Sequence, residues 1–230
     1  NQDNYPLITP VVVDQIIIDE RCDVGSLQTV AFHAIWAHDR SSVVGGSVYV
    51  NSTQHLTNST GWINFNATQD TVGKLVWTIT SFGSFYAIWD RIQIVEGGSS
   101  QNQTTITETV TIWFKAIYEY DGSVFNGTMG TLYVNGSAMT WSAVNERWEY
   151  YCTFNTPGTR TFKVSGVSDD QYGLTTVNDL AGAQSITWRA HKVPFWAQWW
   201  LWTIICVVIA VVAVVVAAIY FLRKRKISSN

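Results

Sequence analysis

Six asparagines of this chain stand in Asn-x-Ser/Thr sequons, at Asn51, Asn58, Asn66, Asn102, Asn126 and Asn135. They are half of the twelve asparagines in residues 1–222, where random placement would give roughly two. The chemistry that such a side chain offers is an amide nitrogen that can accept an N-linked sugar, provided the chain is exported. Five of the six fall in expected turns, strand ends or a linker, and Asn66 falls on the outer face of an expected strand. A β-rich surface also favours Asn, Ser and Thr for their own sake, so that alternative stands beside the glycan.

Other chemistry is sparser. Asp169, Asp170 and Asp179 share one long loop and could offer hard oxygen donors to Ca²⁺, although nothing there follows a twelve-residue calcium loop with glycine at its sixth position. Turn carboxylates are the simpler reading, and Asp19, Glu20 and Asp23 read as a solvated edge that discourages strand pairing. His33 and His38 are surface histidines, and His55 and His191 have no partner at ligand spacing. No G-x-S-x-G elbow occurs, and neither Cys22 nor Cys152 has a recognisable histidine base. The expectation is a chain without catalytic residues or cofactors. Tyr49 and Tyr133, with Trp62, are outward rings that could stack on sugar or meet a protein partner, or else cover the sheet rim. Trp113 also faces away from the core side of its strand.

These residues are held by two very different polymers. Residues 199–222 form 24 positions without a charge, followed at once by Arg223, Lys224, Arg225 and Lys226. A helix of that length spans about 36 Å against a hydrocarbon core of about 30 Å, so a single transmembrane helix over 195–222 is expected. Pro194 suits its start. Trp196, Trp199, Trp200 and Trp202 are the rings expected at one headgroup interface, and the basic tail 223–230 marks the cytoplasmic side, leaving the N-terminal part outside. An outside N-terminus needs an export signal, so the expectation is a cleaved leader or a longer precursor. Within the helix Ala210, Ala213 and Ala217 make a small-residue stripe, and simple anchoring is the expected role.

Without the basic cluster, 10 of the 14 basic residues remain against 17 acidic ones, a net of −7 that argues against nucleic-acid binding. The partners expected are instead the lipid bilayer and surface polysaccharide or other cell-surface proteins.

The part before the helix is rich in Thr, Val, Ile, Trp and Tyr, with turn residues at short intervals, and reads as all-β. It also repeats. FHAIWAHD from Phe32 matches FKAIYEYD from Phe114, GSVYVN from Gly46 matches GTLYVN from Gly130, and TVGKLVWTIT from Thr71 matches TPGTRTFKVS from Thr156. AIWDR from Ala87 lines up with SITWR from Ser185, and DQIIIDE from Asp14 with DRIQIVE from Asp90. Repeats over 12–90 and 91–190 follow, with 1–11 as an N-terminal extension and Gly97-Gly98-Ser99-Ser100 as a flexible linker. Alternation puts Val30, Phe32 and Ala34 with Ile112, Phe114 and Ala116 in the core, joined by Val48, Ile63, Trp77 and their counterparts. Each repeat then fills a two-sheet sandwich of about seven strands, with Cys22 and Cys152 in separate cores rather than bridged.

CDVGS at Cys22–Ser26, FHAIW, YDG at Tyr120–Gly122, G-x-V-x-V-N and IWDR at Ile88–Arg91 together resemble the Ig-like repeats of archaeal cell-surface proteins, akin to bacterial Ig-like domains. NQDNYPLITP at Asn1–Pro10 resembles the sequence that closes NosD-like right-handed β-helix domains. The resemblance implies a β-helix, two Ig-like repeats and a membrane anchor in that order. The function expected is a membrane-anchored extracellular stalk, structural or adhesive. The alternatives are a carbohydrate- or protein-binding module and the anchor region of a larger carbohydrate-active β-helix protein.

Overall fold

Apolar side chains at every second position give each long strand a face to bury, and two such faces must meet. The computed structural model describes residues 10–80, 82–192 and 195–227, apart from the side chains of 195–198 and 221–227. Expectations for residues 1–9, Pro194, the Trp196 ring and the side chains of Arg223, Lys224, Arg225 and Lys226 lie outside the described residues.

The first repeat is built from β1 (Val11–Ile17), β2 (Arg21–Asp23), β3 (Gln28–Trp36), β4 (Ser47–Val50), β5 (Thr53–Leu56), β6 (Trp62–Ala67), β7 (Gly73–Ile79) and β8 (Gly83–Asp90). One sheet has the order β1-β3-β6 and the other β2-β8-β7-β4-β5. Val30, Phe32, Ala34, Val50, Ile63, Trp77, Ile79, Ala87 and Trp89 close the core between them.

The second repeat follows as β9 (Ile92–Ser99), β10 (Gln103–Thr105), β11 (Thr109–Tyr118), β12 (Gly130–Val134), β13 (Ser137–Ala138), β14 (Thr140–Ser142), β15 (Arg147–Thr153), β16 (Gly158–Phe162), β17 (Val164–Asp169), β18 (Val177–Asp179) and β19 (Gln184–Arg189). Its first sheet is β14-β15-β11-β9-β18. Its second consists of β10-β19-β16 and β13-β12-β17, with only Lys163 between β16 and β17. Both repeats are Ig-like β-sandwiches. Trp148 and Trp188 are almost wholly buried, each ring contributing about 1.5–3 kcal/mol by its apolar area. Their indole N–H groups are satisfied, Trp148 donating to the Phe125 carbonyl at 2.9 Å and Trp188 to that of Glu108 at 3.4 Å.

The duplication is visible in the register. Phe32 faces Ile63 as Phe114 faces Trp148, and Val30 faces Phe65 as Ile112 faces Tyr150. Two of the matches read from sequence are displaced. Gly73 pairs with Trp89, and its counterpart Gly158 pairs with Trp188, so Trp89 corresponds to Trp188. The match of AIWDR to SITWR is therefore one residue out, which would put the wrong face inward. Likewise Val13 lies against Ala34 as Ile94 lies against Ala116, each beside a bulge, so Val13 rather than Ile18 answers to Ile94 and the match of DQIIIDE to DRIQIVE is displaced.

The glycine pair expected to be a linker is instead in β9. Gly97 lies opposite Phe114 and Gly98 opposite Trp113. A Cβ on Gly97 would come within 2.7 Å of the Phe114 ring, and one on Gly98 within 2.6 Å of Trp113. The glycines fit there because two aromatic rings occupy the space that a Cβ would need. Cys22 packs against the first core, and Cys152 sits in the second, where burial pushes its thiol up to about 11. Both are free thiols.

The helix α1 (Phe195–Ile227) is described by itself. Its span Trp199–Tyr220, 22 residues, is long and apolar enough to cross a membrane, at about 33 Å for a 1.5 Å rise. The Thr203 hydroxyl donates to the Trp199 carbonyl at 2.9 Å, which satisfies it within the helix.

Candidate functional site: the junction between the repeats

β8 ends at Asp90 and β9 begins at Ile92, so Arg91 alone joins the two sandwiches. Trp89 is buried in the first core and Ile92 in the second. A connector of one residue, tied on both sides, leaves no length for a hinge. Backbone bonds continue through it: Val24 N–H donates to the Asp90 carbonyl at 3.0 Å and Glu119 N–H to that of Arg91 at 3.0 Å.

The side chains around Arg91 form a charged, aromatic bracket. Arg21, on β2 of the first repeat, reaches among the Tyr172, Tyr118 and Tyr120 rings of the second at 4.4, 5.2 and 5.8 Å from their centroids. Its Nη2 donates to Asp121 Oδ2 at 2.6 Å, and its Nη1 stands 3.2 Å from Asp90 Oδ2 without a hydrogen bond. The Arg21 side chain is 7% exposed and that of Asp90 0%. Asp90 Oδ1 accepts from the N–H groups of Arg91 and Tyr120, at 2.8 and 2.9 Å.

The two carboxylates of this cluster are pulled in opposite directions. Burial raises the Asp90 carboxyl above its ordinary value, and its backbone donors and Arg21 only partly offset this. Burial also opposes the charge on Asp121, yet the hydrogen bonds from Arg21 and Ser123 outweigh it and hold Asp121 at about 2. The difference follows from burial first and bond geometry second: Asp90 has no exposed side-chain surface and no aligned bond to the guanidinium, while Asp121 is 39% exposed and has one. Arg21 itself is desolvated, but the acids around it carry its pKa above the ordinary value.

Two further ties flank this cluster. Asp23, expected on a solvated edge, grips the second repeat instead. It accepts from the Thr175 and Thr176 hydroxyls, each at 2.7 Å, and from their N–H groups at 3.0 Å. Burial opposes its charge, but those bonds keep its carboxyl below the usual range. Arg91 makes a forked pair with Glu119 at 2.6 and 3.0 Å, and Asn178 donates to the same carboxylate at 3.1 Å. Thr175, Thr176 and Asn178 all belong to the long stretch after β17, whose β18 then pairs in parallel with β9. A groove of about 770 Å³ lies alongside, bordered by Ile18–Asp23 and Gln171–Gly173.

The acids considered for Ca²⁺ serve that same stretch. Asp169 is buried and accepts from the Tyr118 hydroxyl at 2.9 Å and from the N–H groups of Gln171, Tyr172 and Leu174. That bond, together with burial, pushes the Tyr118 phenol far up, burial being the larger cause. Asp179 accepts from Gly182 N–H at 3.0 Å, and Asp170 is exposed. Among the described residues no three His, Cys, Asp or Glu side chains come together as metal ligands. The outward rings are dispersed as well. Tyr49 is exposed on β4, Trp62 is half-buried against His33 on β6 of the opposite sheet, and Tyr133 is half-buried on β12. Trp113 is covered by Arg147 at 4.9 Å. The sequons Asn51, Asn58, Asn66, Asn102 and Asn135 are exposed and Asn126 is half-exposed. Trp199, Trp200 and Trp202 are exposed on the helix.

No sequence signal pointed to the junction. Arg21 and Asp121 are 100 residues apart, and Asp23 and Thr175 are 152 apart.

No protein-family model matches the chain, and no curated protein matches it. Among solved structures it is similar to a C-terminal 282-residue fragment of intimin in complex with the intimin-binding domain of the translocated intimin receptor. That match has TM-score 0.41 and 14% identity, over 77% of this chain and 64% of that one. It is also similar to invasin, a bacterial integrin-binding protein (TM-score 0.32, 15% identity, 80% and 40%). The third is the adhesin InvE of Yersinia pseudotuberculosis (TM-score 0.28, 10% identity, 79% and 58%). The chain thus spans about two fifths to two thirds of those three structures. Its Ig-like fold rests on the strand pairing and the two closed cores described above.

Proposed function

We propose that this chain is a non-catalytic, membrane-anchored extracellular stalk, in which two Ig-like sandwiches act as one stiff spacer. The observation that carries the proposal is the junction: a one-residue connector braced by Arg21 on Asp121, by Asp23 on Thr175 and Thr176, and by Arg91 on Glu119. Tandem domains that need to swivel are joined by flexible linkers, whereas here side chains and backbone alike tie one sandwich to the next. Each sandwich adds about 35–40 Å, by roughly ten-residue strands at about 3.4 Å per residue. The uncharged run 199–222 supports anchoring, and the basic residues 223–226 support an inside C-terminus with the sandwiches outside.

Two measurements test this reading. Spin labels at Thr60 in the first repeat and Val144 in the second, both exposed, give a single narrow distance distribution if the spacer is stiff; a broad one overturns it. External protease on intact cells sheds residues up to about 190 and spares the C-terminal tail; a protected β-rich part inverts the topology.

A further inference from the structure

We infer that four of the six sequons divide into two kinds, and that N-linked sugar is added at Asn58 and Asn126 but not at Asn51 or Asn135. The inference rests on the extracellular placement proposed above, and the two can fail separately.

Asn51 and Asn135 occupy the same position in the two repeats, one residue beyond β4 and β12, each with φ near +47°. Each is clasped to the neighbouring strand by three bonds. Asn51 donates its backbone N–H to the Thr78 carbonyl at 2.8 Å, accepts from Thr78 N–H on Oδ1 at 2.8 Å, and donates Nδ2 to the Val76 carbonyl at 3.4 Å. Asn135 does the same to Lys163 at 3.0 and 3.1 Å and to Thr161 at 2.8 Å. An amide that accepts from one residue and donates to the carbonyl two residues earlier on the same strand uses the Nδ2 hydrogen on the side of Oδ1. The clasp at Asn135 serves the end of β16 at Thr161 and Lys163, the residue between β16 and β17.

Sugar transfer makes a bond from Nδ2 to the anomeric carbon of a sugar carried on a polyisoprenyl phosphate or diphosphate. The bond from that carbon to the carrier oxygen breaks, the carrier leaves with the electron pair, and one Nδ2 proton passes to a base of the transferase. The product is a secondary amide, which prefers the trans form by roughly two orders of magnitude in population. In the trans form the sugar carbon takes the position on the Oδ1 side and the remaining hydrogen points away. That is the hydrogen the clasp uses, so clasp and sugar exclude one another at Asn51 and Asn135.

Asn58 and Asn126 are held differently. Asn58 Oδ1 accepts from the N–H and hydroxyl of Thr60 at 2.9 and 2.8 Å and from Trp62 N–H at 2.9 Å. Asn126 Oδ1 accepts from the N–H and hydroxyl of Thr128 at 2.9 and 2.7 Å. In both, the third residue of the sequon fixes the oxygen, and Nδ2 is left without an acceptor among the described residues. Either hydrogen can be replaced without loss of a bond.

The test is glycopeptide mass spectrometry of the full chain taken from the membranes of the cells that make it. Sugar on Asn58 and Asn126 with bare Asn51 and Asn135 is the expected result. Sugar on Asn51 or Asn135, or bare Asn58 and Asn126, overturns the inference. A chain bare throughout but cut by external protease leaves the extracellular reading standing; one bare and protected removes both. A second measurement needs no sugar: Asn135→Ala lowers Tm by about 4–8 °C through loss of the clasp, whereas Ser137→Ala, which removes only the sequon, leaves Tm unchanged. Equal falls would overturn the structural role given to Asn135.

Discussion

Replacing Arg21 by alanine removes one of the two guanidinium groups of the junction and leaves Asp90, with no exposed side-chain surface, facing the space that group filled. Breaking a buried pair by removing one partner costs about 3–5 kcal/mol, because the remaining charge is stranded. No discount for solvent applies to Arg21 and Asp90, while Asp121, 39% exposed, can rehydrate and adds little. For a protein of this size each kcal/mol moves Tm by about 2–4 °C, so the fall expected is roughly 6–20 °C. The pH dependence gives a second check. Asp90 is already raised by burial and rises further without Arg21, so the folded variant binds that proton more readily than the unfolded chain does. The deficit is therefore largest above the folded pKa of Asp90 and shrinks as pH falls through it. Asp121 adds to the same trend, since its stabilising charge, held to about 2, is lost only in acid in the parent chain. Urea titration of the full chain in detergent, followed by tryptophan fluorescence at neutral and mildly acid pH, measures both. A loss below about 1 kcal/mol, or a deficit that grows in acid, would refute the reasoning. Arg21→Met with Asp90→Asn recovers most of the loss, since the amide oxygen still accepts from Arg91 and Tyr120.

Three other outcomes are expected. Gly97→Ala and Gly98→Ala each cost about 1–3 kcal/mol by driving a Cβ into Phe114 or Trp113; thermal melts that match the parent would show that the rings can move aside. Asp23→Ala frees the Thr175 and Thr176 amides, and their hydrogen exchange accelerates at least tenfold while the β11 amides stay protected; unchanged protection would mean that the bracket holds without Asp23. Because Tyr49, Trp62 and Tyr133 sit on three separate strands, two of them on opposite sheets, their combined change to alanine leaves binding to a glycan array as it was. Binding abolished by that change would favour the carbohydrate-recognition alternative over the stalk.

Much of the fold was legible because it is written in local periods. Val30, Phe32 and Ala34 recur at every second position in the same way as Ile112, Phe114 and Ala116, and that pattern gave the two cores and the correspondence between the repeats. Matches of a few residues were less secure. The pair AIWDR and SITWR could be slid by one residue with little loss of likeness, and only the partners of Gly73 and Gly158 decided where Trp89 and Trp188 belong. Gly97 and Gly98 looked like a linker because composition cannot show that Phe114 and Trp113 lie over them.

By itself the sequence determined what depends on neighbours along the chain: β-strands from period-two alternation, the duplication from recurring motifs, and a membrane-length helix from an unbroken apolar run. Tertiary structure alone decided the junction and the division of the sequons. Arg21 meets Asp121, and Asp23 meets Thr175, only after both sandwiches have closed and come together. Asn51 and Asn58 carry the same three-residue signature, yet one amide is spent on a neighbouring strand and the other faces solvent. The physical reason is common to both: a hydrogen bond or an ion pair is set by distance and direction in space, and residues far apart in sequence carry no local mark of where their partners will be.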